Sequence, residues 1–255
     1  MTPRLAPAFL RAPLAHRGLH DVTQGRPENS RAAISAAIAH GYGIEIDVQL
    51  TADDLDVVFH DYGLDRLAEG QGPVRALSLA ALADISLRGG AEGIPSLPDI
   101  LRLVHGRVPL LIEIKDQDGA MGARIGPLET ATAAALENYE GPVAVMSFNP
   151  HSVARMAELC PHIPRGLVTE GFAPSDWPFS KTVCDHLREI PDFDRARASF
   201  ISHDASDLSR QRVTDLKAQG ANILCWTIRS SEAEAEARKI ADNVTFEGYM
   251  AAHPG

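Results

Sequence analysis

Short apolar runs alternate with amphipathic stretches from one end of the chain to the other, which predicts strands and helices in turn. A first strand is expected at 13–15, then a loop and a helix over 31–40 with Ala33, Ile34, Ala37 and Ile38 on its inner face. Asn29 or Ser30 supplies its N-cap and Gly41 ends it. The chain returns in a strand over 43–50. Helical pieces follow at 77–84 and 97–105, a strand at 108–115, an alanine-rich helix at 126–139 and a strand at 143–147. Helices at 150–159, 180–190 and 206–219 then alternate with strands at 165–169, 199–202 and 222–228. Ser231 is expected to cap a last helix, with Glu232, Glu234 and Glu236 early and Arg238 and Lys239 late, the order a helix dipole favours. A strand at 245–250 would close the ring.

Eight strand-helix units are what a (β/α)8 barrel requires, and crossovers of this length make the strands parallel. The expected fold is therefore α/β, a TIM barrel in one domain over 1–255. A short insertion, 61–98, follows the hairpin of the second strand. The composition agrees: 45% hydrophobic and 23% charged residues can build a full core, and no polar or low-complexity linker divides the chain.

A net charge of −10 argues against nucleic acid or an anionic membrane as a main partner, so an anionic substrate needs local positive charge. The three cysteines, Cys160, Cys184 and Cys225, lack C-x-x-C spacing and suit a reducing compartment. Prolines and arginines interrupt the first residues where a signal peptide needs an apolar core, and no run is long enough for a bilayer span. A cytoplasmic location is expected.

The densest chemistry lies in 43–61, GIEIDVQLTADDLDVVFHD. Side chains two apart in a strand share a face, so Glu45 and Asp47 project together, roughly 7 Å apart, with Ile44, Ile46 and Val48 behind them. The spacing recurs in LIEIK, where Glu113 and Lys115 should point the same way. Barrel active sites gather at the carboxyl ends of the strands. His16, Arg17, Glu45, Asp47, His60, Glu113, Lys115, Ser147 and Trp226 all fall at or near such ends.

Three carboxylates in one mouth do not all stay ionised without a cation. An all-oxygen set selects a hard divalent ion, Mg2+ or Ca2+, and admits Mn2+. The alternative is a structural salt-bridge network inside the barrel. With the ion, Lys115 and Arg17 present, one positive charge is left over, which matches a phosphodiester. His16 and His60 form a pair able to accept and donate protons on opposite sides of a phosphorus, whereas His203 is ambiguous and could merely line the pocket. Rival motifs are incomplete or missing: D-x-D-G at 116–119 lacks the later calcium ligands, and there is no P-loop and no G-x-S-x-G elbow.

In order along the chain, HRG at 16–18, PENS at 27–30, IEIDVQLT at 44–51, VVFHD at 57–61, IEIK at 112–115, MSFNP at 146–150 and CWTIR at 225–229 resemble the glycerophosphodiester phosphodiesterases. The resemblance implies a TIM barrel, a divalent metal on Glu45, Asp47 and Glu113, acid-base histidines at His16 and His60, and phosphate contacts from Arg17 and Lys115. It also sets Glu28 near the site, and Ser147 and Trp226, from their strand-end positions, are expected with it among the substrate contacts. The chain departs from the family at its closing strand, NVTFEGYM where GVDGIITD is common. The implied reaction is metal-dependent hydrolysis of a glycerophosphodiester to an alcohol and glycerol 3-phosphate, through a cyclic phosphate. Lysophospholipase D-like or cyclising chemistry is the alternative, with Phe172, Trp177 and Phe179 as a small apolar lip. A non-catalytic phosphoester-binding barrel is a further reading.

Overall fold

In a computed structural model the structure describes residues 2–253, so residues 1, 254 and 255 of the expected domain lie outside the described residues. Eight parallel strands close into a barrel: β1 (Leu14–Ala15), β2 (Gly43–Leu50), β4 (Leu110–Ile114), β5 (Val143–Ser147), β6 (Arg165–Thr169), β7 (Phe200–Asp204), β8 (Asn222–Ile228) and β9 (Asn243–Phe246). Closure comes from β1, which pairs with both β2 and β9. Outside the ring, β3 (Asp56–Val58) folds back antiparallel on β2.

The helices are α1 (Ala8–Arg11), α2 (Arg31–Ala39), α3 (Leu79–Ala83), α4 (Leu97–Val104), α5 (Pro127–Leu136), α6 (Pro150–Leu159), α7 (Lys181–Arg188), α8 (Gln211–Ala218) and α9 (Ser231–Ala237). Their caps are mostly local: the Ser30, Ser78, Ser96, Ser180 and Ser230 side chains each accept from a backbone N–H three residues on. Among the described residues no helix is long and apolar enough to cross a membrane.

Strand parity divides the core in two. Ile44, Ile46, Val48, Leu110, Ile112 and Ile114 face outward to the helices. Leu14, Leu111, Ala144, Met146, Val168, Phe200 and Leu224 fill the barrel with Leu5 and Phe9. The N-terminal turn α1 is thus a plug, tied down by Asn243, whose Nδ2 donates to the Phe9 and Ala12 carbonyls at 2.6 Å each. One helical turn among prolines carries no periodicity, so the sequence does not announce it.

Several boundaries differ from expectation. The 206–219 helix is a 3-10 turn, Ala205–Asp207, capped by the Asp204 side chain, followed by α8. The last helix is capped by Ser230, in extended backbone, and Ser231 is its first residue. The closing strand is Asn243–Phe246, set by pairing with Leu224 and ended before Gly248 at φ +76°. The 61–98 insertion has its own apolar cluster around Phe59, Leu64, Leu82 and Ile94.

Candidate active site

The inward parity of β2 brings Glu45 and Asp47 into the mouth, and the parallel register sets Asp47 beside Glu113 of β4. Ligand atoms of the three carboxylates lie within 4.8 Å of one another, and all three residues are buried. Burial and the charges of Asp47 and Glu113 push the Glu45 carboxyl well above its ordinary range. Burial also opposes ionisation of Asp47, but Lys115, His60 and Arg17 outweigh it and hold this carboxyl low. A negative cluster only partly neutralised by its neighbours, with oxygen donors alone, fits a hard divalent cation.

Lys115 reaches back to the cluster, its Nζ donating to Glu113 at 2.8 Å and lying 3.3 Å from Asp47. Burial disfavours its charge, yet Glu113 and Asp47 keep it firmly protonated. Arg17 sits at φ +56° just past β1, with its backbone N–H on Glu45 at 3.1 Å and its guanidinium 2.7 Å from Glu28 and 3.4 Å from Asp47. Gly18 lets this turn close on α2: a Cβ there would fall 2.9 Å from the Ala33 backbone.

Each histidine is held at Nδ1 by a carboxylate. His16 meets Glu247 at 2.6 Å, and His60 meets Asp61 at 2.7 Å. A carboxylate only accepts, so Nδ1 carries a hydrogen in each ring and Nε2 is the position left to take up or release a proton. Burial lowers the proton affinity of His16, partly offset by Glu247.

Two cavities meet at this centre. A smaller one of about 180 Å3 is lined by His16, Arg17, Glu45, Thr227 and Arg229. A larger one of about 400 Å3 is lined by Asp61, Tyr62, Met121, Glu170 and Trp177. His60, Glu113, Lys115, Phe148 and Trp226 belong to both. Another groove, about 480 Å3, lies on the outer wall beside Leu101 and Tyr139, away from the strand ends.

Glu28 and Ser147 are placed differently from expectation. The Glu28 carboxylate bonds Arg17 and Arg66, so it holds the arginine and lines neither cavity. Ser147 is fully buried, its hydroxyl donating to the Ile114 carbonyl at 2.6 Å. Ala144 and Met146 point inward on β5, so the pleat turns Ser147 outward. The same parity turns His203 away from the mouth, where it bonds Thr169 at 2.8 Å. Phe172 is buried and Phe179 lines neither cavity, so of the three only Trp177, stacked on Phe179 at 5.1 Å, reaches the site.

Sequence reasoning missed Asn29 as a site residue. At φ +60° it leaves capping to Ser30 and donates from Nδ2 to Asp47 at 3.0 Å. The left-handed backbone, which Asn tolerates well, is the one signal PENS offered. Glu247 was also missed, since it lies 231 positions from its histidine.

Residues 16–246 match the sequence profile of the Glycerophosphoryl diester phosphodiesterase family. The chain belongs to that family. Membership makes it a phosphoric diester hydrolase. YhdW of Bacillus subtilis (strain 168) is 31% identical over 232 residues, 88% of each chain. The glycerophosphodiester phosphodiesterase of Caldanaerobacter subterraneus subsp. tengcongensis is 33% identical over 227 residues, 86% of each chain. An Oleispira antarctica phosphodiesterase, solved with the product sn-glycerol-3-phosphate, superposes with a TM-score of 0.76 at 24% identity over 94% of each chain. A Parabacteroides distasonis glycerophosphodiester phosphodiesterase gives 0.73 at 22% identity over 92% of each chain. These two structures share its fold.

Proposed function

We propose that this enzyme cleaves glycerophosphodiesters to an alcohol and glycerol 3-phosphate by metal-dependent acid-base catalysis. The observation that carries the reading is the meeting of two carboxylate-held histidines, three buried carboxylates and two cationic side chains at one junction of two cavities. Glu45, Asp47 and Glu113 would hold the divalent ion, Mg2+ or Ca2+ with Mn2+ admitted. When bound there, such an ion supplies Lewis-acid polarisation of the phosphoryl group and a lowered pKa for a substrate hydroxyl.

Arg17 and Lys115 are disposed to take up the charge that builds on the phosphoryl oxygens. The glycerol phosphate fits the smaller cavity and the alcohol the larger. His16 lines the smaller one alone, and its free Nε2 would take the proton of the neighbouring glycerol hydroxyl as that oxygen attacks phosphorus. His60, on the border, would enter as the imidazolium, its Nδ1–H on Asp61, and give its Nε2 proton to the departing alkoxide. The resulting cyclic phosphate is then opened by water with the roles reversed. An attached nucleophile has an advantage of roughly 7–11 kcal/mol over a separate one. Ser147 faces away from the mouth and burial holds the Cys225 thiol up at about 12, so neither competes as a nucleophile.

Lysophospholipid hydrolysis is the rival. Assaying glycerophosphodiesters and lysophospholipids with Mg2+, Mn2+ or Ca2+, before and after chelation, decides between them. Rapid, chelator-sensitive release of glycerol 3-phosphate supports the proposal, and turnover of lysophospholipids alone, or full activity in metal-stripped enzyme, defeats it.

A further inference from the structure

The larger cavity has a chemical character of its own. Tyr62, Phe148, Trp177 and Trp226 line it, with the Phe148 ring 5.3 Å from Trp177 and 5.7 Å from Trp226. Every polar handle on these rings is already used inside the protein. Tyr62 donates its hydroxyl to the Asp116 carbonyl at 2.8 Å, Trp226 its N–H to the Ser202 carbonyl at 3.0 Å, and Trp177 its N–H to Glu170. What the rings offer a ligand is therefore apolar surface and π-electron density, with no free donor.

The carboxylates on this wall differ in the same respect. Asp61 is bonded to His60 and Arg66, and Glu113 to Lys115, whose ammonium also lines this cavity but is held by Glu113 and Asp47. Asp116 accepts from Asn149 and from the backbone N–H groups of Asp118, Gly119 and Met121. Glu170 receives the Trp177 N–H and, among the described residues, no salt bridge to a basic side chain. Burial, with Asp204 and Asp176 nearby, makes its charge harder to sustain and pushes its pKa up.

An aromatic wall with one uncompensated carboxylate disfavours three kinds of alcohol. A polyol would leave hydroxyl acceptors unpaired against the rings, an anionic head group would face Glu170, and an acyl chain would strip water from that carboxylate with nothing in exchange. A quaternary ammonium has no N–H to satisfy, packs its methyl groups on aromatic faces and supplies the missing positive charge. We propose that this cavity selects a cationic alcohol as leaving group, best a trimethylammonium alcohol of the choline class, held by Trp177, Trp226 and Tyr62 and neutralised by Glu170. The inference rests on the assignment of the alcohol to the larger cavity made above.

The test compares kcat/KM for sn-glycerol-3-phosphocholine with that for the 3,3-dimethylbutyl ester, which has the same shape without the charge. Wild type should favour the choline ester by about tenfold or more, and Glu170→Gln should shrink the ratio to about twofold, the scale of a desolvated cation-π and charge contact. Choline chloride alone provides a second readout, because both tryptophans of the chain line this cavity. It should change the intrinsic fluorescence of wild type and not that of Glu170→Gln. Equal kcat/KM for the two esters in wild type, or an identical fluorescence response in the variant, overturns the inference. Absence of turnover on every glycerophosphodiester would instead count against the proposed reaction, and the choline titration would then decide the cavity on its own.

Discussion

His16 presents two different edges to two glutamates: Nδ1 lies 2.6 Å from Glu247 while Nε2 lies 4.0 Å from Glu45. The first contact fixes the tautomer and the second aims the lone pair into the acidic cluster. His20, 3.6 Å away, and Arg229 converge on the same Glu247 carboxylate, which the hydrogen bond from His16, with these neighbours beside it, holds well below the usual range. The site therefore depends on the residue that directly follows β9.

Removing that carboxylate should disturb catalysis more than binding. Glu247→Ala is expected to lower kcat by about 10- to 100-fold with a smaller change in KM, since an orienting partner acts on the ring and not on the substrate. Glu247→Asp should recover part of the loss if the shorter side chain still reaches Nδ1. Steady-state kinetics on the three proteins checks this, and an unchanged kcat in Glu247→Ala would leave the contact without a catalytic part.

The histidine pair should behave as one acid and one base. His16→Ala and His60→Ala should each lower kcat by about 10² to 10⁴, the usual share of positioned proton transfer. A leaving group that needs no proton, such as a nitrophenol, should rescue His60→Ala and not His16→Ala, because only His60 borders the larger cavity. His162→Ala, in an exposed turn, is the control and should match wild type. Rescue of the opposite variant would reverse the two roles.

Attack by the substrate's own hydroxyl makes a strict demand on the substrate. A glycerophosphodiester with that hydroxyl replaced by hydrogen should bind as a competitive inhibitor and fail to turn over, while the normal substrate should release a cyclic phosphate detectable by phosphorus NMR under single-turnover conditions. Brisk hydrolysis of the deoxy compound would assign the attack to water and remove the cyclic step.

Stability carries a separate pH signature at Asp56 on β3. Its carboxyl is buried, Oδ2 has no hydrogen-bond partner among the described residues, and burial pushes its pKa up from 3.8 to about 6. The folded state thus binds this proton more tightly than the unfolded state, so the group's contribution is complete below the unfolded pKa and is lost as pH rises through the folded one. Asp56→Asn should be more stable than wild type at pH 7 by about 3 kcal/mol, shrinking towards zero near pH 4. Urea denaturation at both pH values measures it, and equal midpoints at pH 7 would show that the ionised carboxylate is solvated in the folded chain.

Much of this protein was determined by local sequence alone. The alternation of apolar and amphipathic runs specified the barrel, because each strand must bury both faces and each crossover helix one. The two-residue period turned Glu45, Asp47 and Glu113 inward together, since a strand's pleat is a property of neighbouring residues. The same period, applied to β5, would have turned Ser147 outward, and strand-end position was the weaker guide there.

Tertiary structure alone decided the partners. Glu247 meets His16 because β9 closes beside β1, a consequence of the ring and of no spacing along the chain. Asn29 reaches Asp47 through a left-handed turn, and α1 plugs the floor because Asn243 holds its carbonyls. Glu170 and Trp177 face the cavity floored by Trp226, across a segment with no periodic pattern. Contacts of this kind come from chain closure and side-chain reach across strands, and the sequence can only name their participants.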